Sequence, residues 1–207
     1  MDVKMEKKIK HYSSYHKTLL VGEGDFSFSL CLAKAFGSAS NMVATSLDSK
    51  ESLKRNYSRA STNLNELENL GCTIVHEVDA HTMGGHPLLQ MKSFDRIVFN
   101  FPHAGFQYFE DSSCQIDRHR GLVRGFMNSA KKMLSKFGEI HVTHKTAYPF
   151  SKWEIVKLAK KVDLFLDEEV PFVIWDYPGY INLRGSGYNC DGTFPIGASS
   201  TFKFKKD

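Results

Sequence analysis

The sequence predicts an α/β domain built on a mostly parallel sheet, with helices on both faces and an antiparallel last strand. Three observations carry this. An apolar run, Thr18-Leu19-Leu20-Val21, passes through Gly22-Glu23-Gly24 into an apolar helical stretch from Asp25 to Phe36. Short apolar runs then alternate with stretches of three-and-four periodicity, the order that parallel strands joined by crossover helices require. The last two apolar runs have no helix between them, so they pair as an antiparallel hairpin.

Taken in order, residues 19–21 form the first strand, and the helix after it runs from about Asp25 to Phe36, with Gly37 free to take the left-handed conformation past its end. Met42 to Leu47 is the second strand. Leu53, Tyr57, Ala60, Leu64 and Leu67 recur at helical spacing and predict one amphipathic helix over 50–70, stopped by Gly71. Cys72 to Val78 is the third strand, closing on Asp79, and Phe94 to Phe101 the fourth, broken by Pro102. Residues 103–113 are a loop. Ile116, Val123, Phe126, Met127, Ala130 and Met133 mark a helix stopping near Gly138; Ile140 to Thr143 is a strand, and Trp153, Val156, Leu158 and Ala159 indicate another helix. Leu164 to Phe172 and Thr201 to Phe204 are the closing pair.

With 207 residues, of which 42% are hydrophobic, the chain has material for one well-buried core. Residues 17–207 are expected to form that domain, preceded by a basic arm over 1–16. No run approaches the roughly 20 apolar residues of a membrane span, and the first ten residues lack the apolar stretch of a signal peptide. The expectation is a soluble, intracellular protein without membrane partners.

Cys31, Cys72, Cys114 and Cys190 are isolated from one another and read as reduced, mostly buried residues. His141 and His144 lie three apart in a strand, so they point to opposite faces and form no metal pair. His76, His81 and His86 read as solvated loop histidines. No metal is expected. The net charge of +4 is modest. Lys4, Lys7, Lys8, Lys10, His11 and Lys17 crowd the start of the chain, Lys203, Lys205 and Lys206 its end, and Arg118, Arg120, Arg124, Lys131 and Lys132 one helix. Such groups track phosphates or simply solvate the surface.

In an open α/β sheet, ligands bind outside the carboxyl ends of the strands. Four segments meet there: the turn from Val21 through Gly22, Glu23, Gly24 and Asp25 to Ser27 and Phe28; Asp48; Asp79 and Ala80; and Asn100-Phe101-Pro102-His103. The first three suit an adenosyl ligand, with backbone against an amino-acid moiety, Asp48 on ribose hydroxyls and Asp79 near an adenine amino group. NAD would also take a ribose carboxylate, but it wants a third glycine where Phe26 stands.

The whole is the outline of a Rossmann-like class I methyltransferase domain. Asn100-Phe101-Pro102-His103 resembles the Asn-Pro-Pro-Tyr loop of amino-group methyltransferases, with Phe101 for the first proline and His103 for the tyrosine. His11-Tyr12-Ser13-Ser14, Leu20-Val21-Gly22-Glu23-Gly24-Asp25-Phe26-Ser27-Phe28-Ser29, Phe99 to Gly105, His144-Lys145-Thr146, Tyr177-Pro178-Gly179-Tyr180 and Ser200 to Phe204 together resemble the 25S rRNA uridine-N3 methyltransferase family, over nearly the whole chain from residue 11. The wording is similar to that of the plant members, many of them single-domain proteins, and no appended anticodon-binding-like domain is expected. The acidic residue usual two positions before the first glycine is Leu20 here, which leaves a ligand ammonium to Glu23, Asp25 or a backbone carbonyl.

The resemblance implies S-adenosylmethionine-dependent methylation of N3 of a uridine in large-subunit rRNA or a pre-ribosome, in the nucleus or nucleolus, with the cytoplasm as the alternative. Uracil N3 is a poor nucleophile until its imide proton leaves. His103 is the candidate proton acceptor, with Glu110 second; Asn100 would orient the imide edge, Phe101 or Phe106 would stack on a flipped base, and Lys145 would balance an imidate oxygen. Residues 177–193, with Arg184 placed for phosphate, form either a mobile lid or a plain connection. A catalytically silent RNA-binding module and a small-molecule methyltransferase remain as the other two readings.

Overall fold

The computed structural model describes residues 5–206; Lys4 and the rest of the first four residues of the expected basic arm lie outside them. Seven strands form one sheet: β3 (Thr18–Val21), β4 (Met42–Thr45), β5 (Thr73–Val75), β6 (Phe94–Asn100), β7 (Leu134–Lys145), β8 (Leu164–Pro171) and β9 (Ser199–Lys206), in the order β5-β4-β3-β6-β7-β9-β8. β3, β4, β5, β6 and β7 pair in parallel, while β9 runs antiparallel to both β7 and β8. A short hairpin, β1 (Lys8–Ile9) and β2 (Tyr12–Ser13), stands apart from the sheet.

The side-chain alternation of the strands sorts the core into two layers. Leu19 and Val21, Ile97 and Phe99, and Ile140 and Val142 face α4 (Ser113–Met133) and α5 (Ile155–Lys160). Leu20, Met42, Ala44 and Val98 face α1 (Ser27–Phe36) and α3 (Ala60–Asn69). All four residues of β3 are buried, as a central parallel strand covered on both faces demands. Each such Leu or Phe contributes about 1.5–3 kcal/mol by leaving water.

Within the stretch read as a basic arm, Tyr12 and Ser13 are buried: Tyr12 packs on Phe28, Tyr177 and His141, so the hairpin is seated on the α1 face. The helix expected over 50–70 is two, α2 (Lys50–Asn56) and α3, because Tyr57 takes an extended backbone, turns its ring into the core and sends its hydroxyl to the Gly185 carbonyl, 3.1 Å away. The helix after β3 starts at Ser27 rather than Asp25, since Asp25 Oδ1 accepts from the Ser27 amide at 2.9 Å and Phe26 is left-handed. The third strand shrinks to three residues because Glu77 has φ 57° and turns the chain. α4 begins at Ser113, its first turn capped by Ser112 Oγ, which accepts from the Gln115 amide. It gives way directly to β7, which absorbs residues 134–139 by a bulge in its pairing with β6.

The chain adds β4 and β5 on one side of β3 and then returns to lay β6 on the other. The carboxyl ends of β3 and β6 therefore flank the point where the strand order reverses, and a crevice opens there.

Candidate functional site

At the end of β3, Gly22 has φ 68°, a conformation that costs any residue with a Cβ, and a Cβ there would collide with the Phe99 ring of the neighbouring strand. Gly24 has no such φ, and its Cβ would stand in ordinary contact with Tyr57 at 3.5 Å. Only a ligand's close approach would demand glycine at 24. Glu23 Oε2 accepts from both the amide and the hydroxyl of Ser29. Burial nevertheless dominates and pushes its carboxyl up to about 7. Asp25 Oδ2 is buried without a partner, and burial likewise raises its pKa.

Other expected contacts of this turn are internal. Val21 is core. Phe28 is enclosed by Tyr12, Tyr177 and Tyr180, with ring centroids 5.9, 5.2 and 5.1 Å away, so the site side chain assigned to it from sequence is a packing residue. Ser27 Oγ accepts from the Ile181 amide at 3.1 Å. Past β4, Asp48 is half-buried, and burial raises its pKa. Past β5, Ala80 is buried, while Asp79 is exposed and its Oδ1 accepts from the His81 amide at 2.8 Å, capping its own turn.

Asn100 ends β6 with both atoms of its carboxamide buried and unpartnered. A native fold seldom leaves such atoms empty-handed, because each costs about 1–3 kcal/mol unless a ligand meets it. Phe101 follows with φ 47°, strained for a phenylalanine, and its amide donates to the Thr143 carbonyl at 2.8 Å. Next to it opens a cavity of about 220 Å³ walled by Phe101, Pro102, His103, Phe106, Glu110, His144, Lys145, Phe150, Trp153, Arg184, Phe194 and Pro195. Phe101 is held edge-on by Phe172 and Phe194, so it is fixed wall, while Phe106 is 44% exposed at the mouth against the His103 ring. The Lys145 ammonium lies over the Phe150 and Phe194 rings at 4.6 and 4.9 Å, and burial lowers its pKa. The Arg184 guanidinium lies over Phe106 at 5.2 Å.

One wall is a histidine–carboxylate cluster. His103 Nε2 meets Glu110 Oε1 at 2.7 Å and His119 Nε2 meets Glu110 Oε2 at 3.2 Å. Both Nδ1 atoms accept backbone amides, from Gly105 and Ala104 respectively. A neutral imidazole carries one proton, so that of His103 sits on Nε2 and is donated to Glu110, while His119 Nε2 also meets Gln115 Nε2 at 3.0 Å. Burial works against the carboxylate, but these two bonds win and hold Glu110 down to about 2. The three groups lie within 4.8 Å of one another, a spacing that would admit a metal ion. A metal on the Nε2 atoms would leave each neutral ring to carry its proton on Nδ1, the nitrogen that faces a backbone N–H.

The chain from Tyr177 to Ala198 spans both halves of the site. Tyr57 Oη donates to Gly185 O, Asp191 Oδ2 accepts from the Ser58 amide at 3.1 Å, and Asn182 Nδ2 donates to Phe194 O. His119, His144, Phe150, Trp153 and Phe194 are site residues that sequence reasoning did not place. Trp153 stacks on His119 at 4.1 Å and leans on His144 at 4.2 Å; in the sequence it signals only a helix face. His141 and His144 do point to opposite faces, the former to Tyr12 and the latter to Trp153. Cys31 and Cys72 are buried, but Cys114 is exposed and Cys190 partly so, against the expectation that most are interior.

The family model described as rRNA (uridine-N3-)-methyltransferase, BMT5-like, matches residues 19–184. The chain belongs to this family. An uncharacterized protein of Arabidopsis thaliana is 56% identical over 202 residues, 96% of this chain and 97% of its own length. Heavy metal-associated isoprenylated plant protein 41, also from Arabidopsis thaliana, is 52% identical over 95% of this chain, which spans only 38% of that relative. The 25S rRNA (uridine(2634)-N(3))-methyltransferase of Saccharomyces cerevisiae is 25% identical over 86% of this chain and 68% of its own. Among solved structures, NSun6 from Pyrococcus horikoshii superposes with a TM-score of 0.61 at 17% identity, over 93% of this chain and 48% of that one. A TehB-like SAM-dependent methyltransferase from Corynebacterium glutamicum gives 0.53 at 18% identity, over 92% and 80%. The fold is that of the S-adenosylmethionine-dependent methyltransferases, as the sequence predicted, and the family is one of rRNA methyltransferases.

Proposed function

We propose that this BMT5-like chain transfers a methyl group from S-adenosylmethionine to N3 of a uridine in large-subunit rRNA, in the nucleus or nucleolus. The observation that carries the reading is the Asn100 carboxamide, buried and unpartnered between the glycine turn and the aromatic cavity. A uracil imide edge offers a donor and two acceptors, which such an amide can pair.

The residues fit the cofactor. Gly22 and Gly24 leave the backbone open, Asp48 is a half-buried carboxylate suited to ribose hydroxyls, and Glu23 or the unpartnered Oδ2 of Asp25 would meet the ammonium. Ala80 and Asp79 would border the adenine. Bound cofactor supplies an electrophilic methyl group on a sulfonium.

The rest is the work of the chain. A flipped uracil would lie between the Phe101 wall and Phe106, with Asn100 fixing its edge. Glu110 keeps the proton of His103 on Nε2, so Nδ1 is the basic nitrogen. To take the imide proton, Nδ1 exchanges its bond from the Gly105 amide for one from N3. The imidazolium then formed faces the ionised Glu110, as in other carboxylate-oriented histidine bases. Lys145 would balance charge on the imidate oxygens.

Calorimetric titration with S-adenosylmethionine, with NAD as comparison, tests the first half. Asp48→Ala should weaken binding about ten-fold, roughly 1.4 kcal/mol. Incubation with rRNA and mass spectrometry for N3-methyluridine tests the second, where Asn100→Ala and His103→Ala should lose at least 100-fold in rate. A folded protein that binds no S-adenosylmethionine would leave the silent RNA-binding module as the better account.

A further inference from the structure

Nine aromatic side chains stand exposed among the described residues, and five of them, Phe106, Tyr108, Phe109, Tyr148 and Tyr188, lie on the three loops that wall the aromatic cavity. Phe109 is 86% exposed and Tyr188 wholly so. Rings in water stabilise nothing by burial, so five of them on loops that share one cavity call for a partner with flat apolar faces. The cations between them narrow its chemistry. Arg184 covers Phe106, and Arg118 Nη2 donates to the Ala104 carbonyl at 3.3 Å, which sets its guanidinium beside the same loop. Aromatic faces interleaved with guanidinium groups suit bases joined by phosphates.

We propose that this rim is a stacking platform for the nucleotides on either side of the base held in the cavity. Phe109 and Tyr188 take the flanking bases, and Arg118 and Arg184 the phosphates between them. The proposal rests on the RNA reading above and narrows it to a single-stranded or looped segment. A duplex keeps its base faces stacked on one another and offers none to the rim, and a free nucleotide has no flanking base to place there.

The test is fluorescence anisotropy with a short labelled single-stranded RNA holding one central uridine, with the same strand in a duplex as comparison. Phe109→Ala/Tyr188→Ala is the key variant, and because both side chains are exposed it keeps the fold. Calorimetry with S-adenosylmethionine runs alongside on every protein. The single strand should bind more tightly than the duplex. The double variant should lose about ten-fold or more in affinity for it, with cofactor binding unchanged. Phe109→Trp/Tyr188→Trp should retain affinity, and Phe137→Ala, an exposed ring at the far end of β7, should change nothing. Arg184→Gln should lower the slope of log affinity against log salt by about one.

Single-stranded binding that the double variant leaves intact, or a preference for the duplex, overturns the platform while the RNA reading stands. Failure of the wild type to bind any RNA while it binds cofactor overturns both.

Discussion

At the scale of single residues, Gly22 and Glu23 show two kinds of constraint at adjacent positions. Gly22 is tied by its φ and by the Phe99 ring, so Gly22→Ala should cost about 2–4 kcal/mol, read as a fall in urea midpoint. The Gly-x-Gly spelling reveals the first reason; the second is invisible in sequence, because Phe99 arrives from another strand. Glu23 is constrained by charge. Burial lifts its carboxyl from 4.5 to about 7, so between those values the folded state holds a proton that the unfolded chain has lost. Its contribution to stability therefore falls as pH rises through that window, and Glu23→Gln should be the more stable protein at pH 8. If the ionised side chain holds the ligand ammonium, affinity for S-adenosylmethionine should rise several-fold from pH 6 to pH 8 in the wild type and stay flat and weaker in Glu23→Gln.

At the scale of elements, the hairpin β1–β2 is held to the sheet by a buried polar seam. His141 Nδ1 meets Tyr12 Oη at 3.3 Å and its Nε2 meets Glu139 at 2.9 Å, while Arg96 Nε lies 3.3 Å from Glu139. Burial pushes His11 down to about 3 and, against the opposing pull of Glu139, His141 down to about 4. Both are neutral in the fold but charge below about 6.5 when unfolded. Stability is thus whole above pH 6.5 and lost as pH falls towards 4, by about 2–4 kcal/mol between pH 7 and pH 5. Urea titrations at the two pH values check this, and His141→Gln should remove about half of the difference, His11 keeping the rest. The order of strands and helices was legible in the periodicities, since each reports a buried face. The break at Tyr57 was not, because the helical spacing runs through it and its cause, Gly185, is far away in sequence. Tyr57→Phe should speed amide exchange over residues 183–192 with less than about 1 kcal/mol lost in global stability.

For the molecule as a whole, the modest positive charge is less available than its sequence distribution suggests. Lys203 pairs with Glu168 and Lys205 with Asp167, both at 2.7 Å, and Lys206 donates to the Leu134 carbonyl, so the closing lysines clamp the sheet. Lys10 pairs with Asp176 in the same way. The glycine turn and the strand-end carboxylates beside the crevice were legible because they are local signals. The cavity was half-legible: Asn100 to His103 could be read, but Trp153, Phe150 and Phe194 become walls only when distant segments meet.

The insertion of β9 between β7 and β8 bears on how the protein is made. A ribosome delivers β8 well before residues 199–206, so β8 emerges with no strand to pair with, and β7 with one side open. The segment that brings Arg184 and Phe194 to the cavity wall is synthesised while its anchoring strand is still missing. Until β9 slides home between two waiting neighbours, the nascent chain carries exposed strand edges, the state in which chaperones would find it.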